Sequence, residues 1–115
     1  MYEQNIEDQI QSVEVSIESA KEAVEKRKSV HRLTKNKDFK RIVLDGYFEK
    51  EAIRLVLLKA DPNFQTTESQ ADLIKQMDSV GAFRNYLHTL IQLGEMSARA
   101  LEEDEETLAD LRSEA

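Results

Sequence analysis

The side chains able to do chemistry are few in kind. Histidine occurs twice, at His31 and His88, and cysteine not at all. A zinc site needs imidazole, thiolate or carboxylate ligands at recurring short spacings, such as two histidines four apart on a helix. Neither histidine has such a neighbour: four residues after His31 stands Lys35, and four residues before His88 stands Arg84, a cation where a ligand would be needed. Asp45 and Glu49 lie four apart, as do Glu68 and Asp72. Paired carboxylates on one helix face suit general acid–base work or magnesium. With 23 acids in 115 residues, however, that spacing arises by chance many times over. Three glycines leave little for a phosphate-cradling loop, and none of the patterns GxxxxGKS/T, GxGxxG or GxSxG occurs. These residues name no catalytic, cofactor or metal site, and the expectation is a protein that is not an enzyme.

What the chain does concentrate is charge. Residues 1–20 hold five acids and no base, and residues 21–41 hold nine bases against three acids. Residues 42–100 hold eight acids and six bases, and residues 101–115 seven acids and one base, for a net of −7. Lys28, Arg32, Lys35, Lys37, Lys40 and Arg41 form a candidate patch for phosphate or for an acidic partner, with Phe39 and Tyr47 near enough in sequence to stack on a base. An acidic whole disfavours general nucleic-acid binding. The patch is therefore read first as a match for acids of the same or a neighbouring chain. The run LEEDEETLADL at 101–111 supplies such acids, and its consecutive carboxylates repel one another unless a cation lies near.

The elements that must carry these charges are helices. One proline and three glycines in a chain with 34% charged residues favour helices with wide solvated faces over turn-rich β architecture. Ile6, Ile10, Val13, Ile17, Ala20 and Val24 recur at spacings of 4, 3, 4, 3 and 4, a heptad seam on an otherwise polar segment. This predicts a helix from about residue 6 to 33, with Asn5 as its N-cap and the seam interrupted at Arg27 and His31. Its narrow stripe buries only against another helix. A short helix is expected over about 38–44, capped by Asn36 or Asp38 and stopped by Gly46 in the left-handed conformation. A further helix is expected over about 47–60, ended where Asp61 precedes Pro62. IRLVLL also fits a short strand, but FEKEA leads into it with good helix formers. From a cap at Thr66 or Thr67, a long helix is expected to about 111. Its seam runs Leu73, Met77, Val80, Leu87, Ile91, Gly94, Ala98, Leu101 and Leu108, with a kink at Gly81 or Gly94 left open. Arg84, Asn85, His88, Gln92 and Glu95 recur through its most apolar part, so it is amphipathic rather than membrane-spanning.

The stretches NKDFKRIVLDGYFEKEAIRLVLLKADP and VGAFRNYLHTLIQLGEMSARALEEDEET resemble a group of small acidic helical proteins of tailed bacteriophages. The likeness spans roughly residues 20–110. It brings no catalytic residues; it implies a phage setting, in which short acidic helical chains serve in head assembly or regulate host machinery. It places the protein in the host cytoplasm or the virion.

The expected architecture is all-α, a single domain over 1–115: an elongated bundle of two long antiparallel helices with one or two short helices between them. The expected core is Phe39, Ile42, Val43, Tyr47, Phe48, Ile53, Val56, Leu57, Met77, Val80, Phe83, Leu87, Leu90 and Ile91. The expected function is a non-enzymatic, self-associating interaction module of a phage virion or head. It would pack in coiled-coil fashion on further copies, or on another phage protein, through Ile6, Ile10, Val13, Ile17, Val24, Leu101 and Leu108. The basic patch would meet a neighbour's acids. The alternatives are a nucleic-acid accessory protein using the 28–41 patch and a small regulator binding a host protein. No secretory signal is read in MYEQNIEDQI, which lacks a basic start and an apolar core.

Overall fold

A narrow apolar seam on a polar helix is stable only when a second helix covers it. The computed structural model describes the backbone from Tyr2 and the side chains from Asn5, in each case to Ala115. The first helix, α1, runs Tyr2–Lys35. It is followed by α2 (Lys37–Phe39), a wide π-helical segment (Lys40–Glu51), α3 (Ala52–Ala60), a 3-10 turn (Pro62–Phe64) and α4 (Thr67–Glu114). Among the described residues there is no strand, and the fold is all-α. The residues group into two compact units, 1–29 with 90–115, and 30–89.

In the first unit α1 and α4 pack antiparallel. Arg112 donates to Glu14 at 2.9 Å, Ser16 Oγ donates to Asp104 at 2.7 Å, and Arg27 lies 3.7 Å from Glu95. Rising numbers on α1 thus meet falling numbers on α4. Ile17 and Ala20 are buried, and Ile6, Ile10, Val13 and Val24 are half-buried. On α4, Gly94 is buried and Leu90, Ile91, Leu101, Leu108 and Leu111 are half-buried. The interruption of the first seam at Arg27 has a counterpart: the Arg27 stem lies over Gly94, whose missing side chain leaves it room.

In the second unit Leu55 of α3 is buried with Leu73 and Val80 of α4, and Tyr47, Phe48, Ala52, Leu58 and Met77 pack around them. Tyr47, Phe48 and Phe83 form a ring triad with centroids 5.3 to 6.3 Å apart, tilted rather than stacked. Val30, near the end of α1, is also buried. The corner between α3 and α4 is tied by glutamine side chains. Gln65 and Gln70 both donate to the Lys59 carbonyl, at 2.9 and 3.0 Å, satisfying an acceptor that α3's last turn leaves open. Thr66 Oγ1 accepts from the Ser69 amide at 3.1 Å and caps α4.

Several local expectations are corrected. Asn5 lies inside α1, which starts at Tyr2. Asn36 does cap α2, accepting from the amides of Asp38 and Phe39 at 3.0 Å each. Gly46 stops nothing: its φ is not positive, and helical backbone continues from 37 to 60 where two helices were expected. The turns there are wide, and a Cβ on Gly46 would stand 2.8 Å from the Arg41 carbonyl oxygen. Glycine here permits a wide helical turn rather than an end. Helical backbone in α4 also continues through Gly81 and Gly94.

Gly81 is exposed, with open space where a Cβ would stand. Gly81→Ala is expected to stabilise the protein by about 0.5–1 kcal/mol, because alanine loses less backbone entropy in a helix. Urea unfolding should show a higher midpoint at unchanged slope. A lower midpoint would show that position 81 needs glycine.

The expected core is corrected at five exposed positions. Ile42, Ile53, Val56 and Leu57 are exposed, whereas Leu55 and Leu73, left out of that core, are buried. At 100° per residue, Ala52, Leu55 and Leu58 share the inward face of α3, which turns Ile53, Val56 and Leu57 outward. Phe83 is also exposed by area, although its ring joins the triad.

Candidate interaction surfaces

The interaction seam expected from sequence lies largely where α1 meets α4 of the same chain. Ile17 and Leu108 border one groove of that unit with Glu14, Glu18, Lys21, Glu105 and Arg112. Ile6, Ile10, Val13, Val24 and Leu101 are half-buried. Two facing helices already shelter part of each row, so less of the seam is offered to a neighbour than the isolated heptad pattern implies.

The basic residues are divided between units. Lys28 belongs to the first and pairs with Glu25 at 3.2 Å. Arg32, Lys35, Lys37, Lys40 and Arg41 belong to the second, all exposed, with Arg41 3.4 Å from Asp38. Five of the six therefore belong to one unit. His31 and His88 are exposed, as are Glu49, Glu68 and Asp72, while Asp45 is half-buried. Among the described residues, no group of three or more His, Asp or Glu side chains converges as metal ligands would. No helix among them is long and apolar enough to cross a membrane.

The surface that sequence reasoning missed is the outer face of α3. Ile53, Val56 and Leu57 are 56, 58 and 67% exposed, and with Ala52 they line a shallow apolar depression of 210 Å³. Scattered exposed apolar residues are ordinary; three large ones adjoining on one helix face make this a candidate surface. Ile42 in the π-helical segment is also exposed. The signal was present in the sequence as an excess of apolar residues in YFEKEAIRLVLLKA beyond what one stripe can bury. The expected core places Ile53, Val56 and Leu57 inside, whereas α3 buries the face that carries Leu55.

Charged side chains of both signs flank these residues in sequence: Glu49, Glu51 and Asp61 with Lys50, Arg54 and Lys59. Lys50, Arg54 and Lys59 are exposed, and Arg54 is anchored by Glu51, whose two carboxylate oxygens each accept from Arg54 Nε at 3.1 Å. That hydrogen bonding holds the Glu51 carboxyl below its ordinary range and raises Arg54 above its own. Both groups are solvent-accessible, so the pair orients Arg54 more than it stabilises the fold.

Comparisons with protein-family models, curated proteins and solved structures find no match to this chain.

Proposed function

We propose that this protein is a non-enzymatic, self-associating interaction module, and that it serves as a virion or head-assembly component of a tailed bacteriophage. The phage setting rests on the sequence resemblance alone. The interaction role is supported by one observation above the others: the outward face formed by Ile53, Val56 and Leu57. Apolar area left in water is unfavourable by about 25 cal/mol per Å², and covering it is a standing drive toward association. Of the seam at Ile6, Ile10, Val13 and Ile17, Ile17 is buried and the other three are half-buried.

Sedimentation velocity over a wide concentration range tests the proposal. The weight-average sedimentation coefficient is expected to rise with concentration. A coefficient that stays at the monomer value to the highest concentration would overturn self-association.

A further inference from the structure

We infer that Lys40–Glu51 is a winding switch: rewound from π to α geometry, it turns α3 about its own axis and exchanges which of that helix's two apolar faces packs inward.

The first observation is the winding itself. All twelve residues of Lys40–Glu51 are π-helical. Such turns are rare and occur mostly singly inside α-helices. KRIVLDGYFEKE contains no proline, and Gly46 is its one strong exception to α-helix propensity. A π-helix bonds each residue to the fifth before it rather than the fourth, so it winds about 82° per residue where an α-helix winds about 100°. Over the twelve residues the two windings differ by roughly 220°.

The second observation is that α3 is apolar on two opposite faces. Leu55 is buried with Ala52 and Leu58 half-buried beside it, while Ile53, Val56 and Leu57 are exposed. The exposed three centre roughly 150° from Leu55, counted in the sense of the helix's winding at 100° per residue. A further turn of roughly 220° in the same sense brings them to within about 10° of the direction that Leu55 now occupies. Leu55 then turns outward, and Leu73 and Val80, its present neighbours, receive Ile53, Val56 and Leu57. The exchanged set is no less apolar than Ala52, Leu55 and Leu58, so the same core is filled in either state.

The third observation is what favours the wide state. A Cβ on Gly46 would stand 2.8 Å from the carbonyl oxygen of Arg41, five residues back. Only the wide winding sets that oxygen beneath position 46, and glycine avoids the clash. Tyr47 and Phe48 meet the Phe83 ring at 6.3 and 5.3 Å, and rewinding carries both away from it. The ring triad therefore acts as the latch. The switch does not depend on the self-association proposed above; where both hold, the α state withdraws Ile53, Val56 and Leu57 from a partner.

The chain has no cysteine, so one introduced thiol reports on one position. Leu55→Cys and Leu57→Cys are made separately in the unaltered chain and in Gly46→Ala, and their reaction with an aromatic disulfide reagent is timed in dilute solution. In the unaltered chain the thiol at position 57 is expected to react at least about tenfold faster than the one at 55, which reacts only after an opening. In Gly46→Ala the order should reverse, because alanine clashes in the wide winding and favours the α-helix. A folded Gly46→Ala that keeps the original order overturns the switch. So does one in which both thiols react fast, since the segment has then melted rather than rewound. If Gly46→Ala does not fold, Leu55→Cys alone decides, its labelling rate measured against urea. Rotation exposes position 55 without exposing the core, so the rate should change little at low urea. A rate that climbs from zero urea with the full slope of global unfolding would overturn the switch.

Discussion

Leu55→Ala is expected to destabilise the protein by about 2–5 kcal/mol, the usual range for deleting a buried leucine side chain. Leu55 is 1% exposed and packs with Leu73 and Val80, with Tyr47, Phe48, Ala52, Leu58 and Met77 around it. Truncation removes the transfer free energy of three carbons and leaves a cavity. Helices tied by the Gln65 and Gln70 corner can close over that cavity only in part. The loss is large against the roughly 5–15 kcal/mol by which small domains are stable. Leu57, two residues on, provides the control. It is exposed, and Leu57→Ala is expected to change stability by no more than about 0.5 kcal/mol. Urea unfolding of both variants measures the difference. Equal losses at 55 and 57 would mean that the inward and outward faces of α3 are wrongly assigned.

Gly94→Ala is expected to destabilise by roughly 1–3 kcal/mol, the ordinary cost of overpacking, lessened by alanine's helix propensity. A Cβ on Gly94 would stand 3.0 Å from the Ala23 carbonyl oxygen and 2.8 Å from Arg27 Cδ, and would overlap Arg27 Cβ. The Cδ can swing away. The carbonyl and the Cβ belong to α1 itself, so relief requires the two helices to separate. The same substitution at Gly81 is expected to have the opposite sign, because nothing stands near that position. Thermal melting should show the contrast as shifts of roughly 4 °C or more per kcal/mol in opposite directions. Arg27→Gly in the Gly94→Ala background should recover part of the loss, since it removes the overlapping atom, whereas Arg27→Ala, which keeps its Cβ, should recover less. If Gly94→Ala is as stable as the parent, the helices do not approach closely there.

These two positions show how far the sequence could be read. Gly94 stands in a row of apolar residues at helical spacing, which marks it as facing a partner helix. Arg27 stands where the other row breaks. Each is visible alone, but their matching depends on the register of α1 against α4, which periodicity does not specify. Leu55 was visible as apolar and not as buried. Nine apolar residues in 47–60 exceed one stripe, and nothing local says which of them turns inward. The wide turns of the π-helical segment add to this. They change the angle between successive residues, so a face projected at 100° per residue from Phe39 does not arrive correctly at Ile53.

The division of charge is partly a sequence property. The basic middle and the acidic ends are counted directly. That Lys28 goes with the acidic unit, and Lys35, Lys37, Lys40 and Arg41 with the basic one, follows from which segments pack together. The candidate surface on α3 joins these two kinds of information. Its apolar residues and its charged neighbours were all in view, and their outward orientation was not.

The sequence by itself determined the helical class, the two long helices and the stop before Pro62, and it narrowed the caps to Asn36 or Asp38 and to Thr66 or Thr67. These depend on spacing and on backbone preferences that act over a few residues. Only the tertiary structure decided that the heptad rows cover one another within one chain, that Gly46 passes a wide turn, and that Ile53, Val56 and Leu57 face outward. Burial is a relation between segments distant in the chain, and a side chain's affinity for an interior does not say whether an interior will be there.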